Sequence, residues 1–97
     1  MKKSFPLSHP RHQPARVVER IKGEVAKYVK RERRKELPEG VDFWDFQCRA
    51  GKDEPSAAAV HQAEIGAEID AAAAEGWEAV YLEILAKPGK RQKKPKR

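Results

Sequence analysis

Five cations recur at helical spacing in the first half of this chain. Arg16, Arg20, Lys27, Arg31 and Arg34 fall within about 60° of one another when successive residues turn by about 100°. Guanidinium and ammonium groups in such a row neutralise phosphates and release counterions, which grips a polyanion backbone without reading its sequence. Gly23 falls in the middle of the row, where it reads equally as room for close approach of a partner or as a tolerated helix defect costing about 1 kcal/mol. A second set closes the chain: Lys90, Arg91, Lys93, Lys94, Lys96 and Arg97, with no acid among residues 88–97.

The net charge of +6 over 97 residues is therefore arranged in blocks. Residues 1–37 carry twelve Lys/Arg against four Glu, and residues 38–87 carry three against eleven Asp/Glu. The first 87 residues are neutral as a whole, and the unpaired charge is that of the C-terminal segment. Within the neutral body, either the basic and acidic halves complement each other, or the basic half is a polyanion footprint whose reach the acidic half limits.

Other chemistry is thinly supported. His9 and His12 have a chelating separation, and His61 and Cys48 could join them, but zinc sites show tighter Cys/His clusters. No metal site is assigned. Asp42, Asp45, His61 and Glu64 would form an acid–base group only if the second helix crossed the second strand. His61 reads as a hydrogen-bonded residue at the edge of the core, and Cys48 as inward-facing packing. The glycines form no phosphate-cradling loop. The chain reads as a non-enzyme without a cofactor.

These residues need elements to hold them. Phe5 and Leu7 alternate in a first strand over Lys3–Leu7, with Pro6 marking it as an edge. Pro14 opens a helix to about Glu36, whose apolar stripe of Val17, Val18, Ile21, Val25, Tyr28 and Val29 lies opposite the cationic row. Leu37-Pro38-Glu39-Gly40 ends it. Val41–Ala50 is a second strand, with Trp44, Phe46, Cys48 and Ala50 inward. Gly51–Pro55 turns into a second helix over Ser56–Ala74, capped by Ser56 or Asp53. Trp77–Ala86 is a third strand, with Val80, Leu82, Ile84 and Ala86 inward.

The expected architecture is an α+β two-layer sandwich in the order β-α-β-α-β, a three-stranded sheet with two helices on one face. Right-handed crossovers would make helix-linked neighbours parallel, and a mixed sheet or a covering dimer would deal with the bare face. Residues 1–87 form one domain, and residues 88–97 are expected to be a disordered basic tail. A single cysteine, no signal-peptide core and no bilayer-length apolar run place the chain in the cytoplasm, away from membranes.

Leu37–Phe46 (LPEGVDFWDF) and Tyr81–Gly89 (YLEILAKPG) resemble signature stretches of a family of small uncharacterised bacterial proteins, a domain of unknown function. Lys30–Lys35 and the positions His61, Glu64, Ile65, Ile69 and Asp70 fit the same pattern. The resemblance covers most of the chain and implies a bacterial, cytosolic origin without an assigned activity. Its pattern has a histidine after Pro-Gly, where this chain has Lys90.

The resulting expectation is non-catalytic binding of nucleic acid, RNA or the ribosome, through the tail and the cationic row of the first helix. The alternative is an interaction or homodimeric assembly module that uses the open sheet face, with Phe43, Trp77 and Tyr81 as interface anchors.

Overall fold

The computed structural model describes residues 1–89. Its elements are β1 (Lys2–Pro6), α1 (Pro14–Arg33), β2 (Phe43–Gly51), β3 (Ala58–Val60), a 3-10 turn (Gln62–Glu64), α2 (Ile65–Ala74) and β4 (Ala79–Gly89). The strands form one four-stranded sheet in the order β1-β4-β2-β3, and every neighbouring pair is antiparallel. Both helices pack on one face.

The α+β class and the two helices are as expected, but the strand count and order are not. β4 inserts between β1 and β2, so these two run parallel to each other without touching, a split βαβ arrangement. A mixed sheet is therefore unnecessary, because the helical crossover spans an intervening strand.

The additional strand comes from the segment assigned to the start of the second helix. Asp53 and Ser56 do not cap a helix. The Ser56 amide and hydroxyl both donate to Asp53 Oδ1, at 3.0 and 2.7 Å, and close a turn. The chain then pairs Ala58–Val60 with Cys48–Ala50. Helix geometry resumes only after His61, whose Nδ1 accepts from the Ala63 amide at 3.1 Å.

Gly51 makes that reversal fit. A Cβ there would lie 2.6 Å from Ala57 Cα, so the loop over 52–57 returns across the outer sheet face by using the missing side chain. We expect Gly51→Ala to force the loop or β3 away and to cost about 1–3 kcal/mol, in the manner of an overpacked site. A urea titration against wild type checks this, and an unchanged midpoint would contradict it.

α1 spans Pro14–Arg33 and ends one turn earlier than its composition suggests. Arg34 and Lys35 continue as turns, and Gly40 takes a left-handed φ of +79° that reverses the chain toward β2. The Trp44 indole N–H donates to the Lys35 carbonyl at 2.9 Å and fixes the helix end against β2. The core lies between layers. Val18, Ile21, Val25 and Val29 of α1 meet Ile65, Ile69 and Ala72 of α2, over Phe46, Cys48, Val80, Leu82 and Ile84 of the sheet.

Candidate nucleic-acid interface

The cationic row follows from the same periodicity that buries the opposite face of α1. Val18, Ile21, Val25 and Val29 are buried, so Arg16, Arg20, Lys27, Arg31 and Arg34 stand exposed on the far side. Arg16 and Arg34 are eighteen residues apart, about 27 Å along a helix. Among the described residues none of the five makes an ion pair with a carboxylate. Arg31 lies over the Tyr28 ring at 5.5 Å, which orients it without neutralising it.

Some cations beside the row are paired with carboxylates instead, although Lys30 and Arg33 are not among the described residues. Lys22 pairs with Asp70 at 2.9 Å, Glu24 holds Lys3 at 3.5 Å and Glu32 holds Lys35 at 2.8 Å. Only Lys2–Glu83 and Lys22–Asp70 join the basic first block to the acidic second block among the described residues. The two halves thus complement each other at a few contacts, and the outward row is left over.

His12 lies beside the Arg16 end of the row. Its imidazole pKa is lowered from 6.5, first by burial, then by the charges of His9, Arg16 and Arg20. At the other end of α1, Trp44 bonds to Lys35 and pairs with Pro88, so Gly89, the last described residue, lies near that helix end. The assigned tail cations Lys90, Arg91, Lys93, Lys94, Lys96 and Arg97 lie outside the described residues.

The outer sheet face is less open than its sequence implies. Phe43 is 38% exposed and its ring covers Gly89, where a Cβ would come within 2.5 Å of it. Tyr81 faces outward as expected but is only 6% exposed, because the 52–57 loop lies over its partner Gly51. It cannot serve as an exposed anchor. Trp77 is half-buried and packs against the core cluster, so it too is largely spent inside the fold. Leu85 is 38% exposed, but the Asp45–Lys87 pair stands between it and Phe43, so the two make no continuous apolar patch.

That loop covers a polar cluster which was not among the sequence candidates. Glu83, 7% exposed, accepts from the Tyr81 hydroxyl at 3.1 Å and from Arg49 Nη1 at 3.5 Å, with Lys2 Nζ at 3.8 Å. Arg49 Nη2 donates to the Glu54 and Ala57 carbonyls, tying the loop down. The signal was present in parity: Tyr81 and Glu83 share a face, and Arg49 alternates with inward Cys48 and Ala50.

Burial works against ionisation of Glu83, but the Tyr81 hydrogen bond and the charges of Arg49 and Lys2 outweigh it and lower its pKa from 4.5. Burial and Glu83 raise the Tyr81 pKa from 10.0. A lowered carboxyl pKa contributes stability above the unfolded value, lost as pH falls through the folded one. A raised phenol pKa contributes stability lost as pH rises above 10. Stability should therefore fall at both extremes, and Glu83→Gln should flatten the acid limb in urea titrations between pH 2 and 6. An unaltered acid limb would show that the cluster carries no such linkage.

A model of a family of unknown function (DUF6172) matches residues 1–95. The chain belongs to that family. No curated protein and no solved structure matches it.

In this DUF6172 chain the remaining sequence candidates are scattered. His9 and His12 stack with ring centres 4.6 Å apart, and His9 Nδ1 accepts from the Arg11 amide. His61 is exposed at the start of the 3-10 turn and does not sit at the core edge, because the helix begins later than its spacing implies. No hydrogen bond or ion pair among the described residues joins Asp45, His61 and Glu64, and Asp45 instead accepts from the Phe46 amide. Cys48 is buried, and burial followed by the Asp45 charge raises its thiol pKa from 9.0.

Proposed function

We propose that the protein is a non-catalytic cytoplasmic RNA-binding protein, with the outer face of α1 and the basic C-terminal segment as its contact surface. The observation that carries this reading is the row of five exposed α1 cations without a carboxylate partner among the described residues. Their span of about 27 Å is enough to follow several phosphates of a strand. The position of Gly89, the last described residue, near the Lys35 end of α1 supports one continuous surface. Such contacts position a backbone and carry no sequence code, so the expected specificity is for charge and shape, as on ribosomal or structured RNA. No helix among the described residues is long and apolar enough to cross a membrane.

Assembly through the outer sheet face is the weaker reading. Its three anchors are reduced to Phe43, and the charged pair beside it interrupts any patch.

The test is the affinity of the full chain for fluorescein-labelled single-stranded and hairpin RNA over a salt series. Binding should weaken linearly in log salt, and deletion of residues 90–97 should reduce the slope without lowering the melting temperature. No binding at 50 mM salt would refute the proposal, and a dimer persisting at high salt without RNA affinity would favour assembly.

A further inference from the structure

A groove between α1 and α2 adjoins the outward cationic row and shares only Arg34 with it. Its volume is about 590 Å³, within the range of small-molecule sites. The floor comes from Val25, Ala26 and Val29 on α1 and Ile65, Gly66 and Ile69 on α2. None of these side chains carries a hydrogen-bond donor or acceptor. Polar side chains stand only at the rim: Lys22, Lys30, Arg33, Arg34 and Gln62.

The two ends of the groove differ in charge. At one end Lys22 is neutralised by Asp70, at 2.9 Å. At the other, Lys30 and Arg34 have no carboxylate partner among the described residues. Arg33 is held there by a 3.2 Å bond to Gln62 Oε1 and by the Phe46 ring at 5.5 Å, neither of which cancels its charge. Lys22 and Arg33 are eleven residues apart, about 17 Å along the helix. Gly66 keeps the middle open, since a Cβ there would touch only Lys22 Cε at 3.8 Å.

These features select a ligand. Its middle must lack hydrogen-bonding groups, because the floor would leave them unpaired. Nucleobases, sugars and extended peptides fail that condition. Its end must be anionic to match Lys30, Arg33 and Arg34. We propose that the groove binds a small amphiphilic carboxylate, its acyl chain along the Val25–Ile69 floor and its head among Lys30, Arg33 and Arg34.

Calorimetric titration of the full chain with hexanoate, octanoate and decanoate, below micelle formation, tests this. Affinity should rise about fourfold per buried methylene. Decanol and decyltrimethylammonium should bind at least about tenfold more weakly than decanoate, for want of the charged contact. Gly66→Leu should abolish binding by filling the floor, with Ala26→Leu as a second filling variant if the first does not fold. Arg33→Gln should weaken decanoate and leave decanol unchanged. Decanoate should shift the amide resonances of Val25, Val29 and Ile65.

Glutamine at Arg16, Arg20 and Lys27 should leave decanoate affinity within about twofold, since those groups face away and are screened, which separates this site from RNA binding. Affinity independent of chain length, equal binding of the cationic analogue, or retention in both filling variants would overturn the proposal.

Discussion

Replacing Arg16, Arg20, Lys27, Arg31 and Arg34 together by glutamine should weaken RNA binding by roughly three orders of magnitude while leaving the fold at least as stable. Each single-strand phosphate neutralised contributes about −0.7 to the slope of log affinity against log salt. Removing all five phosphate partners would therefore reduce the slope by about 3.5, roughly three orders of magnitude at 0.1 M salt. The stability side separates this from damage. All five side chains are exposed and none makes an ion pair among the described residues, so no folded-state carboxylate is left without a cation.

Three like-charge neighbours within the row are relieved instead: Arg16/Arg20, Lys27/Arg31 and Arg31/Arg34. Repulsion at such spacings costs about 0.2–0.5 kcal/mol per pair, so relieving the three should gain about 0.6–1.5 kcal/mol. Loss of binding with a raised melting temperature is what cations held for a ligand predict. Unchanged affinity across the salt series would show that the row is only a solvated face. An affinity loss accompanied by unfolding would contradict the stated geometry.

The legible part of the fold was the part where one period dominates over many residues. α1 follows from an apolar stripe sustained over Val17–Val29, and the inward faces of β2 and β4 follow from strict alternation. The same arithmetic placed all five cations of the row on the solvent side. Residues 56–64 were not legible. Their alanines suit a helix intrinsically, but the Asp53–Ser56 turn and the close approach at Gly51 start a hairpin first, and pairing to β2 then outweighs propensity.

The loop this creates also buried Tyr81, which parity alone had marked as exposed. Strand order was beyond local pattern as well. Insertion of β4 between β1 and β2 depends on tertiary pairing, which no single segment encodes. The groove escaped for a related reason: its floor and rim come from two helices far apart in sequence. Lys22, Lys30 and Arg33 acquire a common role only when α2 packs beside them.

β4 offers the sharpest test of the layered arrangement, because Leu82 and Leu85 lie three residues apart on opposite faces. Leu82 is 0% exposed, on a strand paired on both sides, with Lys3 of β1 and Ala50 of β2 as its register neighbours. Truncating it to alanine removes buried methyl groups and leaves a cavity that strand pairing prevents from collapsing, at a cost of about 2–5 kcal/mol. A chain of this size has a total stability of only about 5–10 kcal/mol, so Leu82→Ala should be partly unfolded at 37 °C. Leu85→Ala, on the outer face and 38% exposed, should change stability by no more than about 0.5–1 kcal/mol. Urea midpoints of the two variants measure the contrast. Equal destabilisation would mean that Leu85 is covered in solution, and that the outer sheet face is an interface after all. A large gap would place the core wholly on the helical side, and the binding chemistry on α1 and its groove.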